Sequence, residues 1–189
     1  MNRNVVDAFF DEYVYGFMFK DIQREIAMAR TGSGGGNFLA ALGLLCYTEY
    51  LGGVKRDKFT RGQSRGSFNA FFPTLGPCYD ALNRDIDVYD VFRNGMAHEY
   101  FVKKNCVIAM LKGDEECGLG RFAQGGFYFV VEKYFEDFAN ACYGLHKEML
   151  QRPPSSVLQV VSLGVPHPGG SGPSIRFIDP RNPTRLDLR

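Results

Sequence analysis

Apolar side chains fall at helical intervals through the first third of this chain. Val6, Phe9, Phe10, Tyr13, Phe17 and Ile22 recur without an intervening proline, which predicts one long helix from about Val5 to Arg30. Thr31-Gly32-Ser33-Gly34-Gly35-Gly36 stops it. Asn37 is placed as an N-cap for a second helix reaching about Leu51, with Gly52-Gly53 as its end. Residues 54–67 are polar and read as a loop, followed by a short apolar piece from Phe68 to Leu75. Pro77 suits the first turn of a third helix, whose pattern continues into Arg93-Asn94-Gly95-Met96-Ala97-His98. Beyond Phe101, Cys106 to Leu111 and Phe127 to Val131 are strand-like, and the glycine-containing segment between them predicts a small β-hairpin. Helical spacing returns from Glu132 to Leu150, with Phe135, Phe138, Cys142 and Leu145 on one side. The fold class expected is therefore mainly α, with a small hairpin after the motif helix.

From Pro153 the character changes, because seven of the nine prolines lie between there and Arg189. Such a segment is extended rather than helical. Strand-like islands at Val157–Val161 and Ile175–Ile178 predict that it lies against something, such as a neighbouring subunit. The expected division is a helical domain over 1–150 and a Pro/Gly-rich extended tail over 151–189. No internal repeat is visible.

Composition narrows the picture further. The 189 residues are 45% hydrophobic and 23% charged, enough for one domain with a real core. The net charge of +1 gives no global attraction to nucleic acid or membrane, so any such binding needs a local patch. No apolar run reaches the ~18–20 residues of a membrane span. The first residues carry acids where a signal peptide has its apolar stretch, so a cytoplasmic location is expected. The five cysteines, Cys46, Cys78, Cys106, Cys117 and Cys142, are odd in number and lack C-x-x-C spacing. Free thiols are expected, and a zinc knuckle or disulfide framework is disfavoured.

The chemistry concentrates in residues 93–98. Arg presents a planar fork of donors to a phosphate, and His moves protons near neutral pH. Together they suit RNA phosphodiesters. A guanidinium continuing an apolar stripe (Leu82, Ile86, Tyr89) also needs an acid, carbonyls or a ligand to offset its burial. Pairing with Asp85, Asp90 or a neighbouring helix is the plain alternative. On an undistorted α-helix Arg93 and His98 diverge by roughly 140°. A single-subunit site then needs Arg's reach, a helix distortion near Gly95, or a second copy of the helix.

Arg93-Asn94-Gly95-Met96-Ala97-His98, continuing Glu99-Tyr100-Phe101, resembles the Arg-polar-x3-His signature of the HEPN superfamily. The order of helices over roughly residues 1–150 is similar too. The resemblance implies an up-and-down helical bundle, dimerised with the motif helices facing each other. In many members it implies metal-independent endoribonuclease activity, with no cofactor. Arg93 would hold the scissile phosphate, His98 would transfer the proton at the ribose 2′-hydroxyl, and Asn94 would orient the pair. Other members are non-catalytic interaction or nucleotide-binding modules, or toxin components with a protein antitoxin. The inserted hairpin and the Pro-rich tail lie outside the pattern.

Other signals support or compete. Lys55, Arg56, Lys58, Arg61 and Arg65 put five cations in eleven residues, with Asp57 the sole acid. That stretch could track the backbone of single-stranded RNA, or be a solvated loop. Phe59 and Phe68 could stack on bases or belong to the core. The glycine-rich segment 32–36 lacks the Gly-Lys-Ser/Thr end of a phosphate loop and reads as a connector. His146 and His167 lack metal-ligand spacing, so no metal site is expected. Three readings stand: an RNA endonuclease, a non-catalytic helical or nucleotide-binding module, and a small-molecule enzyme with no nucleophile–base pair to support it.

Overall fold

The computed structural model describes residues 3–99 and 105–152. The tail expected over 151–189 lies almost wholly outside the described residues, as do Tyr100 and Phe101. What is described is mainly α-helical, as the periodicity predicts, with a small sheet inserted before the last helix.

The long first helix is present but not uniform. It runs as α1 (Arg3–Phe9), a π-helical stretch (Phe10–Met18) and α2 (Phe19–Arg30). Gly16 lies within the π stretch, and a Cβ there would stand 2.8 Å from the Asp11 carbonyl oxygen, five residues back. Removing the side chain is what lets the wide turn close at that point. α3 (Asn37–Lys55) follows, with left-handed Gly36 as its N-cap residue. Asn37 is the first helical residue rather than the cap, and its amide donates to the Ile108 carbonyl at 2.9 Å.

Gly52-Gly53 does not end α3, which runs on to Lys55. Both glycines are buried contact points instead. A Cβ on Gly52 would lie 1.7 Å from the Ser67 carbonyl oxygen, and one on Gly53 would lie 2.3 Å from the Phe59 ring. The polar loop is also shorter than expected, because α4 (Ser64–Phe71) and a 3-10 turn (Phe72–Leu75) occupy its second half and the apolar piece. The close approach at Gly52 packs α4 onto α3 and buries Phe68 and Phe71.

The helix opened by Pro77 is corrected as well. α5 (Pro77–Asp85) ends where Ile86 turns extended, and the motif lies on a separate π-helical segment (Tyr89–Glu99). The stripe from Leu82 through Arg93 is therefore not one helical face.

The sheet has the order β1–β3–β2, with β1 (Cys106–Ala109), β2 (Leu119–Arg121) and β3 (Phe127–Val130). The hairpin is formed by β2 and β3, antiparallel, with Gly120 opposite Tyr128. The two apolar runs expected to pair as that hairpin lie side by side and parallel, Val107 opposite Tyr128. The intervening chain is long enough to cross over and place β2 on the far edge of β3. The three residues of β2 are too few for an alternating pattern to reveal.

α6 (Val131–Gln151) follows β3 directly and buries Tyr134, Phe135, Phe138, Cys142, Leu145 and Met149, one face at helical spacing. α3 is the central helix, packing against α2, α4, α6 and the motif segment. Tyr134 joins the layers, stacking on Phe129 while its hydroxyl meets the buried Thr48 hydroxyl at 2.9 Å.

Cys78 and Cys117 form a disulfide, which corrects the expectation of free thiols at these positions. An odd cysteine count argues against a framework of bonds, not against one bond. The packing of α5 on β2 brings the two Cα atoms to 6.6 Å across 39 residues of sequence. Next to the bond, the buried Tyr79 hydroxyl donates to Asp137 at 2.6 Å and accepts from the Gly118 amide at 2.8 Å. Among the described residues no helix is long and apolar enough to cross a membrane.

Candidate functional site

A cleft of about 400 Å³ opens between α3, the loop after it, α4 and the motif segment. α3 contributes Cys46, Glu49 and Tyr50, one helical face that continues to Gly53. The loop contributes Phe59, Thr60, Arg61 and Gln63, and α4 contributes Ser64 and Ser67. Arg93 enters from the motif segment.

Arg93 meets Glu49 across the cleft wall, Nε to Oε2 at 2.6 Å. The side chains are 19% and 17% exposed, and the two atoms face each other as an ion pair outside hydrogen-bond alignment. Glu49 thus offsets the burial of the guanidinium without enclosing it, because Arg93 still lines the cleft. The pairing with a neighbouring helix anticipated for a half-buried Arg is what the structure contains, with Glu49 rather than Asp85 or Asp90. Two guanidinium groups lie near the Tyr89 ring, the Cζ of Arg93 at 5.9 Å and that of Arg65 at 5.3 Å from its centre.

His98 is exposed near the end of the π segment, and it is not among the residues lining the cleft. Asn94 is half-buried and also outside the cleft lining. The winding of the segment nevertheless changes the relation between the two motif residues. In a π-helix each amide bonds five residues back, and the wider turn separates residues five apart by a smaller rotation than an α-helix does. Arg93 and His98 are five apart. Of the three routes the sequence left open, a helix distortion near Gly95 is present, and it spans the whole motif.

The basic stretch is divided by the fold. Arg61 lines the cleft. Arg56 donates to Ser67 Oγ at 3.4 Å and to Gln63 Oε1 at 3.2 Å, both cleft residues. Arg65 pairs with Asp87 beside Tyr89. Lys58 is exposed in the same loop. Lys55 does not join them, since it lines a different cleft with Phe71, Thr74 and Glu148. The two phenylalanines part in the same way, Phe68 fully buried and Phe59 50% exposed.

Other candidates lose their chemistry on inspection. Burial pushes the Cys46 thiol up, the Arg93 charge draws it down and Glu49 raises it again, so the net direction is upward. A thiol held protonated is a poor nucleophile. Burial also pushes the Tyr50 hydroxyl up to about 12, leaving it a neutral donor in the cleft wall. At the glycine-rich connector, the Glu25 carboxylate lies over Gly36 at the start of α3, where a phosphate would have to sit. Among the described residues no group of three His, Cys, Asp or Glu side chains is placed to hold a metal ion.

Glu49 is the site residue that sequence reasoning missed. Its signal was present, since it is the sole acid in the mostly apolar α3. Tyr50, Gln63, Ser64 and Ser67 carried no comparable signal. No family model, curated protein or solved structure matches this chain.

Proposed function

We propose that this protein is an endoribonuclease of HEPN type, cutting single-stranded RNA without a metal ion at a site built from Arg93 and His98 of two facing copies of the chain. The observation that carries the reading is the π winding of residues 89–99, whose wider turn sets Arg93 and His98 less far apart around the axis than an α-helix would. The basic loop supports it, because Arg61 shares the cleft with Arg93. Arg93 holds the scissile phosphate and offsets the charge that builds on its oxygens. His98 takes the proton from the ribose 2′-hydroxyl as that oxygen attacks phosphorus, and gives it back to the 5′-oxygen as the P–O5′ bond breaks. The product is a 2′,3′-cyclic phosphate. Asn94 orients the pair, and Arg56, Lys58 and Arg65 draw the backbone toward the cleft.

A homodimer and a protein antitoxin that masks the site belong to this reading, as does the cytoplasm. The Cys78–Cys117 bond stands against that compartment, which rarely preserves disulfides. On this reading the two thiols are reduced there.

A second reading has an observation of its own. Arg93 already has an acid partner, and His98 is not on the cleft. That arrangement favours a non-catalytic module that binds nucleotides or RNA without cutting. Labelled single-stranded RNA incubated in chelator separates the two. Cleavage to cyclic-phosphate ends by the wild type, abolished by His98→Ala with the melting curve unchanged, supports the nuclease. Cleavage that persists in the variant overturns it, and retention without cleavage by the wild type selects the module.

A further inference from the structure

We infer that Phe59, backed by Tyr50 and Gly53, is a stacking platform for one nucleobase, so that the cleft takes an unstacked nucleotide of a single strand with its phosphate toward Arg61 and Arg93. The inference deepens the proposed function and rests only on its RNA-binding half.

Phe59 is the anomaly of the basic loop. It is half exposed, where Phe68 nearby is fully buried; among the described residues Phe17, Phe122 and Tyr143 are the other exposed aromatic rings. Leaving an apolar ring in water costs free energy unless something covers it. Its back is seated. The ring stacks on Tyr50 at 5.3 Å between centres with 29° between planes. It also occupies the space that a side chain on Gly53 would need, since a Cβ there would come within 2.3 Å of ring carbon Cε1. A ring held from behind and open in front is a platform rather than a displaced core residue.

Hydrogen bonds tie the loop that presents it to α3 and α4. Asp57 adopts the left-handed conformation at φ 52°, which Asp tolerates better than most residues, and this folds the chain back onto the end of α3. The Asp57 amide donates to the Val54 carbonyl and the Lys58 amide to the Gly53 carbonyl, each at 3.0 Å. Arg56 ties the far side of the loop to Gln63 and Ser67. A ligand landing here pays little to order the site.

The open face of the cleft carries three kinds of group together. There is a flat apolar ring, the cations Arg61 and Arg93 (the latter paired with the Glu49 carboxylate, which also lines the cleft), and the hydroxyls and amide of Thr60, Ser64 and Gln63. The volume of about 400 Å³ is at the small end of ligand sites, enough for one unit rather than a duplex. Base, phosphate and sugar need that combination, and stacking on an aromatic ring is tolerant of base identity.

The chain has no tryptophan, so Phe59→Trp installs a single indole at the platform. It is titrated with a ten-residue oligoadenylate, with an abasic ribose–phosphate oligomer of equal length, and with inorganic phosphate. Saturable quenching by oligoadenylate alone is expected. Phe59→Ala should weaken oligoadenylate binding about tenfold and leave binding of the abasic oligomer unchanged, while Phe59→Tyr restores the wild-type affinity. Equal binding by wild type and Phe59→Ala, or equal quenching by the abasic oligomer, overturns the platform. The failures are distinguishable. Stacking without cleavage by the wild type upholds the platform and removes the nuclease. Cleavage with unaltered affinity in Phe59→Ala does the reverse. Binding of none of the three probes overturns the platform and the RNA reading together, and leaves Phe59 to a protein partner.

Discussion

The two π-helical stretches of this molecule lead to opposite fates for a histidine. At the first, Phe10–Met18, the imidazole of His146 reaches in from α6 and is fully engaged. Its Nε2 lies 3.0 Å from Asp7 Oδ1 and its Nδ1 3.0 Å from the Tyr15 hydroxyl. A carboxylate only accepts, so Nε2–H donates to Asp7, and in the neutral ring the Tyr15 O–H donates to Nδ1. The ring also stacks on Phe10, 4.3 Å between centres at 9°. Burial, followed by the charges of Cys142, Tyr143 and Asp11, pushes the Tyr15 hydroxyl up, which keeps it a donor. At the second stretch, Tyr89–Glu99, the histidine belongs to the segment itself and is exposed. The same local winding serves a closed joint in one place and an open surface in the other. A histidine's chemistry is decided by what its two nitrogens already hold.

The largest expected effect separates those histidines. His98→Ala should lower RNA cleavage about 10²–10⁴-fold in a gel assay while shifting stability by no more than about 0.5 kcal/mol. Unfolding by that variant, or unchanged cleavage, would erase the contrast. His146→Ala should do the converse. It strips one joint of two hydrogen bonds and a stacked ring, so denaturant unfolding should show a loss of about 2–3 kcal/mol with the rate per folded molecule unchanged. A smaller effect tests the winding. Gly16→Ala forces a Cβ against the Asp11 carbonyl and should cost about 1–2 kcal/mol, without altering ligand binding at the cleft. The smallest concerns thiol reactivity. Because the Cys46 thiol is held above its ordinary range, its alkylation should rise only at higher pH than that of a free thiol, and oligoadenylate in the cleft should slow it. Ordinary thiol reactivity at Cys46, insensitive to that ligand, would mean the cleft is not occupied as argued.

Much of the fold is legible in the chain. The first helix, α3 and α6 follow from apolar spacing, and both main strands follow from short β-branched and aromatic runs. Less of the site is. Arg93 and His98 stand out by residue type and spacing, and Arg61 by the local density of cations. Glu49 was visible only as a lone acid, and nothing in its neighbourhood points to Arg93, 44 residues further on. Phe59 and Phe68 look alike in sequence and differ wholly in burial. The pair Gly52-Gly53 reads as a helix stop because local rules assign glycine that role. Its use here, to admit Ser67 and Phe59 against α3, depends on segments that are not yet neighbours when the sequence is read.

The sequence by itself determined the residue types of the chemistry, the helices and strands that carry them, and the absence of a long apolar helix among the described residues. Those properties follow from interactions between residues a few positions apart, which periodicity and composition record. Only the tertiary structure decided that the motif winds as a π-helix, that Arg93 faces Glu49, that Phe59 lies over Gly53, that Cys78 reaches Cys117 and that β1 runs parallel to β3. Each depends on packing between distant segments, where free-energy differences of a few kcal/mol choose among local conformations that the hydrophobic pattern allows equally.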